Sequence, residues 1–153
     1  MACEPLIRVQ TEDFDPGAEA KRLTAGRKDV GALVSFIGLC RDDGGKLAAL
    51  ELEHYPGMAE TEIGRIALEA CDRWPLSGLT VIHRFGKIPA GEQIVLVIAA
   101  SSHRRAAFEA ADFLMDFLKT RAPFWKKEHM KSGDADNWVK ATKTDDAAAE
   151  RWS

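Results

Sequence analysis

An α+β fold, with a mainly antiparallel sheet and helices packed on it, is what this sequence predicts, and three observations carry the prediction. Alternating or continuously apolar runs over 6–10, 30–41, 47–55, 79–88 and 93–101 read as strands. Helical spacing of apolar residues marks 58–74 and 102–122. The elements do not alternate strictly as strand–helix–strand, and their tight turns favour antiparallel neighbours. With 153 residues and no internal repeat or linker, 1–153 reads as one domain with one core.

Taken in order, LIRVQ (6–10) alternates like a short strand. Asp15 is placed to cap a short helix whose first position is Pro16, a residue suited to a helix start because its missing N–H has no intrahelical partner there. VGALVSFIGLCR (30–41) is β-branched and aromatic, and LAALELEHY (47–55) sets Leu50 and Leu52 against Glu51 and Glu53. DDGGK (42–46) between them is turn chemistry, so the two runs read as a hairpin. Ile63, Ile66, Ala67 and Ala70 line one face of the 58–74 helix, which stops at Pro75. LTVIHRFGKI (79–88) and QIVLVIAAS (93–101), joined by PAGE, read as a second hairpin. The second of these strands is apolar almost throughout and belongs in the middle of a sheet covered on both faces. Ala107, Ala111, Leu114 and Leu118 form the stripe of the main helix, which ends before Pro123. WVKAT adds a short strand and DDAAAERW a closing helix.

Composition narrows the function classes. Hydrophobic residues are 46 % and charged residues 29 %, an ordinary globular balance. A net charge of −3 does not suit a nucleic-acid binder, so the basic residues matter by position rather than number. Cys3, Cys40 and Cys71 are odd in number and lack metal-ligand spacing, which predicts neither a disulfide framework nor a zinc site. MACEPLIRVQTEDF has no signal-like apolar core and no run reaches membrane-spanning length, so a soluble cytoplasmic protein is expected.

Position then singles out LKTRAPFWKKE (118–128). Lys119 falls on the last helical turn, where a cation complements the helix dipole, and that alone is one account of it. The second account is chemical. Pro123 turns the chain, Phe124 and Trp125 are anchors that fix where Lys126 points, and two lysines flanking such a corner can converge. Convergent, partly desolvated ammonium groups depress each other's pKa from about 10.4 toward roughly 7–8, where a lysine serves as acid, base or nucleophile.

SSHRRA (101–106) opens the main helix. Cations are disfavoured at a helix N-terminus, so His103, Arg104 and Arg105 make sense there around a phosphate or carboxylate, with Ser101 and Ser102 as the alternative, plain caps. GLCRDDGG (38–45) ends a strand with Arg41 before a free loop; Cys40 has no base nearby in sequence and is read as structural, and Cys71 as core. His54 and His83 fall within strand patterns and read as packed or exposed residues rather than ligands, while His129 beside the lysines stays open.

GLCR, LEHYPGMAE, VIHRFGKIPAGE, SSHRRAAFEA and LKTRAPFWKKE, in this order and spacing, resemble the family of catalytic (large) subunits of molybdopterin synthase, from about residue 30 to Trp152. The HRR-type helix start together with the K-x-x-x-P-x-W-K-x-E corner is the specific part. The resemblance implies an α/β-hammerhead type of α+β fold and a homodimer. It implies a small ubiquitin-like sulfur-carrier subunit completing a heterotetramer, whose C-terminal Gly-Gly thiocarboxylate enters a pocket on the large subunit. Sulfur would pass twice to cyclic pyranopterin monophosphate (precursor Z), making the dithiolene of molybdopterin, with no metal and no cofactor. Carried over by position, the catalytic lysines are Lys119 and Lys126. Substrate-binding positions are Leu39, Cys40 and Arg41, His103 and Arg104, and Lys127 and Glu128 beside Lys126; Phe36 and Met115 line the pocket. No catalysis is attached to Cys40, and Lys140 and Lys143 lie in the loosely matched part beyond Trp138.

Spacing adds a consequence. Sixteen positions separate His103 from Lys119 on one helix, roughly 24 Å at 1.5 Å per residue. A small pterin cannot bridge that gap, so a composite site is expected, with His103 and Arg104 from one protomer and Lys119 and Lys126 from its partner. Two rival functions are a non-catalytic anion or RNA module that stacks bases on Phe124 and Trp125, and a subunit that only docks a ubiquitin-like partner.

Overall fold

The structure, a computed structural model, describes residues 3–42, 44–121, 123–131, 137–139 and 143–152, with backbone alone at 137–139 and 143–145. Its elements are β1 (Leu6–Gln10), α1 (Pro16–Thr24), β2 (Ala32–Leu39), β3 (Leu47–His54), α2 (Met58–Arg73), β4 (Leu76–Arg84), β5 (Gly86–Pro89), β6 (Gln93–Ser101), α3 (Arg104–Thr120), β7 (Phe124–Met130), β8 (Asn137–Val139) and α4 (Lys143–Glu150). The α+β class is as expected, and all but one of the strand pairings are antiparallel.

The single sheet of the sequence reading is replaced by two four-stranded sheets, β1-β4-β6-β2 and β5-β3-β7-β8. β6 lies in the middle of the first. Its Val95, Val97 and Ala99 face the layer of α2 and α3, while Leu96 and Ile98 join Ile82 against Phe14, Ala20 and Leu23 on the α1 side. Covered faces explain why nearly every residue of this strand is apolar. α1 starts as its capping chemistry dictates, with the Ala18 N–H donating to Asp15 Oδ1 at 3.1 Å.

The second predicted hairpin holds over β4 and β6, which pair antiparallel from Leu76 to His83, while the first needs correction. β2 pairs with β6 along its whole length, and β3 pairs instead with β5 and β7. The loop between them is a crossing between sheets: Asp42 Oδ1 accepts the N–H groups of Lys46 and Leu47, at 3.1 and 3.0 Å, and turns the chain into the second sheet. There Leu47 and Leu52 meet Ile88 and Cys40 in a separate apolar cluster. The predicted 79–88 strand likewise splits. Gly86 adopts φ +85, in the left-handed region that favours glycine, and the chain leaves β4 to become the edge strand β5. β7 was expected only as a corner, and β1 runs parallel to β4 because α1, β2, β3 and α2 intervene before the chain returns beside it.

Cys3 and Cys71 are joined as a disulfide between the lead into β1 and helix α2, which corrects the expectation drawn from the odd cysteine count. Cys40 is the free thiol and is buried. Among the described residues no helix is long and apolar enough to cross a membrane.

Candidate functional site

Helix α3 follows β6 after the short turn at Ser102 and His103, so it returns antiparallel to that strand, packed on β6 and β2. This return sets the geometry of the site. The C-terminal end of α3, with Lys119 exposed on its last turn, comes back toward the beginning of β6. Val95, near that beginning, is paired with His83 of β4 on one side and Gly38 of β2 on the other. One turn before Lys119, Met115 is buried among the α3 core residues.

The second lysine arrives from the other sheet. Alternation along β7 puts Phe124, Lys126 and Glu128 on one face and Trp125, Lys127 and His129 on the other. Phe124 and Lys126 sit opposite His54 and Leu52 of β3. Phe124 stacks on the His83 imidazole, centroids 4.0 Å apart and planes 15° from parallel, and packs against both the main core and the second-sheet cluster. It therefore fixes the face from which half-buried Lys126 projects.

The two lysines meet electrostatically at one buried group. His83 is 5 % exposed, and its pKa is lowered to about 4, first by desolvation and then by the charges of Lys126, Lys119 and His54. Its Nδ1 lies 2.8 Å from the Arg84 carbonyl oxygen. Both lysines that flank the Pro-Phe-Trp corner thus act on one group, a histidine that the sequence alone marked as packed or exposed rather than as part of a site. His54 lies against Phe85, centroids 4.3 Å apart, with its Nε2 3.7 Å from Glu60 Oε1. Their signal in the sequence was polarity at inward positions of buried strands, in VIHRFG and LEHYPG.

At the end of β2, Leu39 is 56 % exposed and Arg41 is exposed, whereas Cys40 is turned inward. Its thiol is pushed up in pKa by burial, and its backbone N–H and C=O are engaged by Glu92 and Gly91. Cys40 therefore anchors the segment while its two neighbours face outward. Phe36, two residues up β2 from Gly38, is 39 % exposed. On the other face of β7, His129 Nε2 bonds Glu51 Oε1 at 2.7 Å and Lys127 also acts on Glu51, whose pKa is lowered mainly by the His129 bond. Trp125 does not pack as an anchor; it is 44 % exposed and meets Tyr55 edge-on at 5.0 Å. With Phe124 stacked against His83, the pair of free stacking rings that the RNA reading needs is not present.

His103 and Arg104 stand at the opposite end of α3. His103 is the N-cap residue without a side-chain cap bond; Ser101 Oγ accepts its N–H at 3.4 Å while donating to the Pro75 carbonyl oxygen at 2.8 Å. Arg105 is drawn to Glu109, 3.7 Å away on the next turn. With Phe108 these residues line a cleft of about 340 Å³. The single chain thus divides the expected site residues between two ends, Arg41, Lys119 and Lys126 at one and His103 and Arg104 at the other. Lys140 lies outside the described residues, and Lys143 is described by its backbone alone. Among the described residues no group of three or more His, Cys, Asp or Glu side chains is placed to hold a metal ion.

A sequence profile of the family described as MoaE protein matches residues 9–121. A curated relative from Mesorhizobium japonicum, named molybdopterin synthase catalytic subunit, is 69 % identical over 97 % of this chain and 93 % of its own. The chain belongs to the MoaE family. Among solved MoaE structures, the molybdopterin biosynthesis MoaE protein of Burkholderia ambifaria superposes with a TM-score of 0.82 at 48 % identity, covering 97 % of this chain and 98 % of that one. The crystal structure of molybdopterin synthase from Staphylococcus aureus matches with a TM-score of 0.76 at 29 % identity, over 86 % and 95 %. The profile spans Arg41, His103, Arg104 and Lys119 and stops before Lys126, which lies on β7 opposite Leu52.

Proposed function

We propose that this chain is the catalytic subunit of molybdopterin synthase, moving sulfur from the thiocarboxylated Gly-Gly end of a small ubiquitin-like carrier to cyclic pyranopterin monophosphate. The observation that carries the reading is that Lys119 of helix α3 and Lys126 of strand β7 both act on buried His83. Both reactants are anionic, one through its phosphate and one through its tail, and preorganised cations in a partly dry site stabilise such charge. Lys119 is the main catalytic group, assisting attack by the thiocarboxylate sulfur and proton transfer at the substrate carbons. Lys126 and Arg41 hold anionic groups and stabilise developing oxyanions. Leu39, Phe36 and Met115 form the wall, Lys127 and Glu128 extend the β7 side, and Cys40 acts through the placement of Leu39 and Arg41.

A second copy of the chain supplies His103 and Arg104. The separation along α3 supports this, and so does β2, an edge strand of its sheet that exposes Leu33, Phe36, Ile37 and Leu39. The whole assembly is then two catalytic chains with two carriers.

The test is incubation with thiocarboxylated carrier and the pterin substrate, following dithiolene formation. Lys119→Ala should lose about 100-fold or more in turnover, the scale of a general acid–base contribution, while carrier affinity changes little. Equal loss of both would leave a docking subunit only.

A further inference from the structure

His83 is held more firmly than a packing residue requires. The Arg84 carbonyl oxygen can only accept, so its 2.8 Å contact puts the ring proton on Nδ1. In the neutral ring Nε2 is then a bare acceptor, on the side of the imidazole away from that carbonyl. Phe124, stacked at 4.0 Å, sets the ring plane. Nε2 is not among the fully buried side-chain atoms that lack a partner, so it stays open to a donor arriving at the ring edge.

The charged and titratable groups around the ring come from five elements: Lys126 from β7, Lys119 from α3, His54 from β3 with Glu60 of α2 beyond it, and Arg84 on β4 itself. Lys126 follows Phe124 by two residues on the same strand face, so the residue that fixes the ring also fixes the root of the lysine. Three cations at this spot would repel one another. A neutral ring does not add to that repulsion, and the lowering of the His83 pKa to about 4 keeps it neutral at physiological pH.

We propose that His83 is a positioning residue for the lysine pair, offering Nε2 as a fixed acceptor that aims an ammonium group of Lys119 or Lys126 at the reacting sulfur. The proposal rests on the sulfur-transfer reading above. His83 does not relay the proton: its own affinity for one is far below that of an amine, so it directs the lysine without discharging it.

Two substitutions separate position from packing. His83→Asn reproduces the Nδ1–H donor but ends short of Nε2, whereas the longer amide of His83→Gln reaches the Nε2 position. With thiocarboxylated carrier in saturating amount, His83→Asn should lower kcat at least tenfold with KM and melting temperature near wild type, and His83→Gln should recover most of that loss. A second measurement needs no turnover: trinitrobenzenesulfonate labelling of Lys119 and Lys126, mapped by peptide mass across pH 7–10. His83→Asn should change the labelling rate or midpoint of one of the two lysines, and His83→Gln should restore it. Wild-type turnover with indistinguishable kcat and labelling in all three proteins would overturn the proposal, as would equal loss in both variants with a lowered melting temperature, which is a packing role. If the wild-type chain fails to turn over, the sulfur-transfer reading falls first, and the labelling still decides whether His83 orients a lysine.

Discussion

The ring of Phe124 lies flat on the imidazole of His83, joining the first strand residue after Pro123 to the buried interior of the other sheet. The contact turns a local break in the chain into the support for Lys126. Its neighbour Trp125 points to the opposite face and rests on Tyr55 at the surface.

Phe124→Ala should therefore lower unfolding stability by about 3 kcal/mol, the usual scale for emptying an aromatic site, and reduce turnover further than the unfolded fraction explains. Trp125→Ala should cost less than about 1 kcal/mol. Urea titration and dithiolene formation on both variants check the contrast; equal effects would mean that the stack does not hold the lysine.

Acid should destabilise the protein earlier than its carboxylates alone allow. The unfolded chain binds a proton on His83 near pH 6.5, which the folded chain refuses until about 4. Stability from this group is complete above about pH 6.5 and is lost as pH falls toward 4, by on the order of 3 kcal/mol at most. Asp42, held low chiefly by the Leu47 N–H, and Asp13, held low chiefly by Gln93, lose their contributions at still lower pH. Between pH 6.5 and 5 the slope of stability against pH should be visibly smaller in His83→Phe than in wild type.

Mixing Lys119→Ala chains with His103→Ala chains tests the shared site. Each mixed dimer keeps one intact site of two and half the dimers are mixed, so activity should recover to about a quarter of wild type from two inactive parents. No recovery, with mixing confirmed by mass, would place both residues in a site of one chain.

Gly31 guards the far end of α3. Its N–H donates to the Ser101 carbonyl oxygen at 3.0 Å, and a Cβ there would run into the carbonyl oxygen of Ser102. Gly31→Ala should cost about 1–3 kcal/mol and displace His103 and Arg104. Steady-state kinetics should show a rise in KM for the pterin beyond the fall in melting temperature, if those side chains bind its phosphate.

Short-range physics made much of this protein legible in the sequence. Asp15 and Pro16 start α1, the apolar stripe defines α3, and the unbroken run of β6 announces a strand covered on both faces, because each signal depends only on neighbours within a turn or two. The motifs around Arg41, His103, Lys119 and Lys126 carried the family. Partnership between distant strands was another matter. The turn-like 42–46 loop suggested a hairpin, yet β2 bonds to β6 and β3 to β7, because Leu47 and Leu52 find their burial against Ile88 and Cys40 rather than beside β2. Nor does any local pattern tell a packed histidine from one that feels the charge of two lysines. That distinction arose only when α3 and β7 brought Lys119 and Lys126 to His83, since the field at a buried ring depends on every charge that the tertiary fold delivers to it.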